Sequence, residues 1–438
     1  MKQRLLAGTG AHCITPPLGL PMAGFAARQG GSIGVHDDLW AKALVLDCND
    51  VAVALVSLDL IDVTLELTES IRNIIAKNTG LPRDHILIAT SHTHSGPELE
   101  TAYRFAPGPA EYGEWIPTFV HLVAESVQEA WVSRTPALLG TGVTTVQGIG
   151  VNRRGKDVVD NEVGLVKVER PDGSVLAVIF NYACHAVVLG PDNRLITADY
   201  PGYAQRSIEK ALNGKALALF MNGAAGDINT GHSADVSAIG GFIPGRTFER
   251  AQELGERLAQ AVVVALPEIK TNDVIDLDVL VIPWEPKYRC DLPAPEKLQH
   301  IISGLEERIK QSKNEKEIFQ LKLDLVYHQI MLRNALEIWG SITKTKHTEI
   351  QGIRLHDAAI ITLPGEVFVE IGLKIKQYSP FSLTLIAGYT NDAIGYIPTH
   401  EALITGGYES ISTKFAAGTD EELINKTVEC LIQLYQRK

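Results

Sequence analysis

The sequence predicts an α/β fold of mixed central sheets flanked by helices, and three observations predict it. At 438 residues with 45% hydrophobic content, the chain is long enough to bury a large core. Short runs that are apolar throughout recur before turns carrying Gly or Pro, as strands buried on both faces do. Amphipathic stretches lie between several of these runs, the alternation expected of sheet covered by helix.

Taken in chain order, residues 43–46 and 51–58 are the first apolar runs, and both read as buried strands. Residues 65–77 follow with helical amphipathicity; Ile86-Leu87-Ile88-Ala89 then reads as a strand and 116–131 as a helix. The pattern continues with strand 175–182, helix 203–212, strand 216–221 and helix 247–266. Residues 274–282 include the polar alternation of a half-exposed strand and lead into a Pro-rich stretch ending at Pro295. Beyond it Leu298, Ile301, Ile302, Leu305 and Ile309, then Leu321, Leu325, His328, Leu332 and Leu336, recur at helical spacing around a polar break at 310–317. That spacing predicts a helical hairpin, residues 296–340, inserted into a single domain of residues 1–438. Nothing chemical is carried on the hairpin, so packing or oligomer contact is expected of it before a lid role. Strands 358–363 and 383–387, with helix 367–377 between them, complete the series.

Charge and composition exclude several function classes. A net charge of −12 argues against a nucleic-acid partner, which would need a basic face. No apolar run approaches the length of a membrane span. The opening Met1-Lys2-Gln3-Arg4 starts like a secretory leader but lacks a sustained apolar stretch before Gly8 and Gly10. Five cysteines, widely spaced and without a CxxC pair, suit a reduced, cytoplasmic protein.

Chemistry-bearing residues cluster where predicted strands end, the place at which α/β sheets bind ligands. Ser91-His92-Thr93-His94-Ser95-Gly96-Pro97 follows one such strand. Histidines two apart on extended backbone point the same way, so His92 and His94 can face one metal ion or one substrate atom; loop histidines bonded to backbone are as common. His185 closes the apolar run from Val175, and Cys184 beside it is expected to point into the core. Glu366, in Leu363-Pro364-Gly365-Glu366, either complements a helix dipole or completes a His/His/Glu set typical of hydrolytic zinc sites. The loop 222–229 is rich in small residues, and Gly226 and Asp227 within it can form either an anion-binding nest or a capped turn. Tyr396, Tyr408 and Arg153 are not selected by pattern alone.

In this order the pieces resemble the N-terminal catalytic domain of the neutral/alkaline ceramidase family. The similarity runs from Ile14-Thr15-Pro16-Pro17 through Ser57-Leu58-Asp59-Leu60, Thr90 to Pro97 and Asn152-Arg153. It continues through His185, Ala198-Asp199-Tyr200-Pro201-Gly202-Tyr203, Gly226-Asp227, Pro364-Gly365-Glu366 and Gly395-Tyr396 to Tyr408-Glu409. The resemblance implies a zinc ion held by His92, His185, Glu366 and Tyr396, with His94, Arg153 and Tyr408 lining the reacting centre. At the family's serine position stands Asn229, and neither the family's C-terminal immunoglobulin-like domain nor its signal peptide is read here.

The expected activity is therefore zinc-dependent hydrolysis of an amide bond in a small N-acyl substrate other than ceramide, by metal-activated water. His94 would shuttle the proton, Arg153 and Tyr408 would stabilise the oxyanion, and Asn229 would donate a hydrogen bond to substrate or water. Gly226 and Asp227 would contact the substrate. An ester or phosphoester hydrolase using the same ion is the second expectation, and a metal-bearing binding protein without turnover the third.

Overall fold

The computed structural model describes residues 4–99 and 110–437. Met1 to Gln3, where the leader-like opening begins, lie outside the described residues.

Three larger sheets form the frame, and each contains one parallel pair of apolar strands. Val51–Leu58 pairs in parallel with Ile86–Thr90, Val175–Tyr182 with Leu217–Asn222, and Ala358–Thr362 with Leu383–Ala387. A parallel pair requires a crossover, and each pair has a helix in its connection: Leu65–Thr79, Asp199–Ala211 and Val369–Tyr378 respectively. The remaining partners in these sheets run antiparallel, for example Val51–Leu58 with Trp40–Cys48, so the sheets are mixed as the sequence predicts. Leu44, Leu55 and Leu87 of the first sheet meet Ile179 and Leu219 of the second and Ile360 and Leu385 of the third in one buried cluster. Each such side chain contributes roughly 1.5–3 kcal/mol of burial energy. The sheets therefore converge on shared core.

Most expected elements are present near their expected bounds, and the departures have physical causes. Strands Leu6–Cys13 and Leu138–Thr145 were not expected, because Gly8, Gly10, Gly140 and Gly142 interrupt their apolar pattern. In the first of them the glycines are required by close packing. A Cβ on Gly8 would lie 2.1 Å from Ala130 O, and one on Gly10 2.2 Å from Ser126 O, because helix Ala110–Val132 rests directly on the strand. Helix Asp199–Ala211 begins before residue 203 because Pro201 sits in its first turn, where proline costs no hydrogen bond. The strand read at 274–282 spans Leu277–Trp284, antiparallel to Thr348–Leu355.

Residues 295–340 form two packed helices, Pro295–Gln311 and Glu315–Gly340. Asn314 caps the second by accepting from the backbone N–H of Lys316 and Glu317. Leu298, Ala335 and Ile338 form a small buried cluster with Leu292. Among the described residues no helix is long and apolar enough to cross a membrane.

Candidate active site

The carboxyl ends of the three parallel pairs deliver the site. Ile86–Thr90 leads to His92, Val175–Tyr182 to His185, Ala358–Thr362 to Glu366 and Leu383–Ala387 to Tyr389. Glu366 and Tyr396 are direct neighbours in a short parallel bridge, Glu366–Val367 beside Tyr396–Ile397. Asn222, wholly buried at the end of its strand, ties two of the loops together: its Nδ2 donates to Ser91 O and to Cys184 O (3.1 Å each), and its Oδ1 accepts from Cys184 N. Cys184 points into the core as expected.

His92 and His94 do face one another, with ring centroids 4.9 Å apart, but not through strand alternation. His92 has φ +64°, a left-handed conformation that L side chains adopt at a cost, so a turn and not an extended backbone aims the rings. Tyr389, at φ +53°, stacks its ring on His92 at 3.9 Å.

Backbone carbonyls set the tautomers. His92 Nδ1 donates to Ile61 O (2.8 Å) and His185 Nδ1 to Ala225 O (2.6 Å), so each ring turns its Nε2 toward the centre. Burial, reinforced by Arg153, pushes His185 down to about 4, so at neutral pH it has no second proton to give. Yet His185 Nε2 lies 3.1 Å and His92 Nε2 3.6 Å from Glu366 Oε2. Burial opposes ionisation of Glu366, but the imidazoles of His185 and His92 outweigh it and hold its carboxyl well below the usual range. The two Nε2 atoms and Oε2 thus converge on one point, where they can share either a proton or a cation. Tetrahedral ligands about 2.0–2.2 Å from one ion stand about 3.3–3.6 Å apart, so the donors fit a small divalent metal. The nitrogens of His92, His94 and His185 all lie within 4.8 Å of one another, close enough that the three could share an ion. His94 Nε2 is 3.2 Å from His92 Nε2, and its buried Nδ1 has no hydrogen-bond partner. Burial, then the neighbouring His92 and His185, hold His94 well below the ordinary imidazole range.

Arg153 sits behind this cluster. It donates to Tyr396 Oη (3.1 Å), Gly226 O (2.8 Å) and Glu409 Oε1 (2.7 Å), and Glu409 also accepts from Arg154. Its Nε and Nη2 are thus held by protein groups, and it touches the centre through Tyr396. Tyr408 packs against Tyr396 with ring centroids 5.9 Å apart, and burial followed by Glu366 raises its phenol. A cavity of 410 Å³ opens onto His92, His94, Glu366, Tyr389, Tyr396 and Tyr408.

Three expected substrate contacts are placed elsewhere. Asn229 Nδ2 donates to His232 O, while its Oδ1 accepts from Gly231 N and His232 N, so its amide holds a turn. Asp227 accepts from Asn152 Nδ2 and Val369 N, and Gly226 N donates to Val367 O. A Cβ on Gly226 would lie 2.4 Å from Glu366 O, so this glycine lets the two ligand-bearing loops touch. None of the three lines the cavity. The hairpin does: Arg333, Asn334, Leu336 and Glu337 of its second helix form part of the wall, a role beyond the packing expected of it. Sequence reasoning also missed Tyr389, Asn222 and Glu409. Tyr389 follows a strand end as the histidines do, and Glu409 adjoins Tyr408, but only the fold distinguishes them from ordinary loop residues.

Comparison with known proteins bears on the family and the fold. Residues 5–239 match the family described as neutral/alkaline non-lysosomal ceramidase, N-terminal. Neutral ceramidase B of Dictyostelium discoideum is 24% identical over 233 residues, covering 48% of this chain and 32% of that protein. Neutral ceramidase of Drosophila melanogaster is 26% identical over 313 residues, covering 60% of this chain and 44% of that one. The chain therefore spans less than half the length of these relatives. The crystal structure of neutral ceramidase from Pseudomonas aeruginosa superposes with a TM-score of 0.75 at 18% identity, covering 99% of this chain and 75% of that one. A ceramidase complexed with C2 gives a TM-score of 0.75 at 17% identity, with 99% and 76% covered.

Proposed function

The chain belongs to the neutral/alkaline non-lysosomal ceramidase family, and from that membership we propose that it is a zinc-dependent hydrolase of an N-acyl amide bond. The observation that carries the proposal is the approach of two imidazole Nε2 atoms to one carboxylate oxygen, at 3.1 and 3.6 Å. His92, His185, Glu366 and Tyr396 would hold the metal, and two imidazoles with a carboxylate suit zinc better than magnesium. Zinc, when bound, polarises an acyl carbonyl and lowers the pKa of a bound water from about 16 toward about 7.

The protein's own groups supply the rest. His94 lines the cavity beside His92, so its ring nitrogen is placed to pass a proton to the leaving amine. Tyr408 remains a phenol whose hydroxyl can donate to a developing oxyanion. Arg153 is a positioning residue: it fixes the Tyr396 hydroxyl and is itself fixed by Glu409. Asn229 stands at the position of the family's serine and has no hydroxyl, so the substrate proposed is an amide other than ceramide.

The test is metal analysis coupled to hydrolysis assays on a panel of N-acyl amides, with esters and phosphate esters alongside. Metal removal and His92→Ala should each lower amide turnover by more than about 100-fold, with zinc restoring only the former. Turnover that persists without metal, or that is confined to esters, overturns the proposal.

A further inference from the structure

The cavity that reaches the metal ligands carries charged side chains beside aromatic and small ones. Asp62, Glu66, Arg333, Glu337, Lys346 and Lys414 all line it, and the aliphatic side chains among the described residues of the lining are Ile61, Leu336 and Ala393. Lys414 is paired with Glu337 at 2.8 Å, and Lys346 Nζ lies 3.7 Å from Asp392 Oδ2. Ser412 Oγ, on a lining residue 7% exposed, has no hydrogen-bond partner among the described residues. An alkyl chain laid against Ser412 Oγ would leave it unpaired, whereas a polar ligand would satisfy it. A volume of 410 Å³ is near the lower end of the roughly 300–1,000 Å³ of ligand pockets, small for a molecule with two long chains.

We infer that the substrate is a compact amide, with a short acyl group and an amine portion bearing hydroxyl or charged groups, recognised in part by Ser412. The inference rests on the amide-hydrolase reading above. It also assigns the hairpin a specificity role, since Arg333 and Glu337 come from its second helix. The competing occupant is a long acyl chain lying outward along Leu336 and Trp339, one helical turn apart and 41% and 57% exposed.

The experiment compares metal-loaded protein on N-acetyl and N-palmitoyl forms of amino acids, amino sugars and alkylamines. N-acetyl amides of the polar amines should exceed both their N-palmitoyl counterparts and N-acetyl alkylamines in kcat/KM by at least about 10-fold. In Ser412→Ala the KM of the preferred polar amide should rise about 5-fold, the loss of one hydrogen bond, while that of N-acetyl alkylamines stays unchanged. Turnover that favours the palmitoyl or alkylamine forms overturns this inference and leaves the amidase reading standing. Absence of turnover on every amide overturns both.

Discussion

At the residue scale, the centre depends on groups that never touch substrate. Carbonyls of Ile61 and Ala225 fix the two imidazole tautomers, and Asn222 binds Ser91 O and Cys184 O at once. Removing that amide takes away one tie between the loop of His92 and the loop of His185 without altering either ligand. Asn222→Ala is expected to weaken metal affinity by about 10–100-fold, the usual cost of losing an outer partner of a metal site. Competition with a calibrated chelator measures it, and an unchanged affinity would mean that the loops hold their spacing through the backbone bridge Thr93–Ala186 alone.

At the element scale, the packing of helix Ala110–Val132 on strand Leu6–Cys13 is set by two missing methyl groups. A Cβ on Gly10 would lie 2.2 Å from the Ser126 carbonyl and 2.8 Å from Glu129 Cβ, and neither backbone can yield without moving the helix. Gly10→Ala is expected to destabilise the protein by about 1–3 kcal/mol, the cost of overpacking a close-fitted interface. Denaturant titration at constant metal concentration checks this. A stability change below about 0.5 kcal/mol would show that the helix tolerates displacement. Hydropathy reads these glycines as breaks in a pattern; only the neighbouring helix gives them a purpose.

At the scale of the whole molecule, acid stability depends on imidazoles buried neutral. Burial, aided by Arg246, lowers His232 to about 4, against about 6.5 for an exposed imidazole. Between these values the unfolded chain binds a proton that the folded chain refuses, so stability falls as pH decreases. The contribution is fully present above about 6.5 and is lost as pH falls toward 4, to a limit of about 3 kcal/mol. His232→Gln should therefore lose less stability than the parent between pH 7 and pH 4.5 in denaturant titrations. Parallel losses in the two proteins would place the acid sensitivity elsewhere.

Much of the frame is legible in the sequence because its strands are buried on both faces. Runs such as Val51–Leu58 and Val175–Tyr182 contain little but apolar residues, and their ends mark where His92 and His185 emerge. Motif order then singled out Tyr396 and Tyr408, which periodicity could not. Contacts between loops stayed hidden because they join residues far apart in the chain. Asn229, expected to face substrate, closes its own turn through His232, and the hairpin, expected only to pack, walls the cavity with Arg333 and Glu337. The sequence by itself determined the α/β alternation, the family and the residue types that meet at the centre, since burial and chemical identity are local properties of the chain. Tertiary structure decided which side chains reach the cavity and which support them from behind, because three sheets must converge before any of those distances exist.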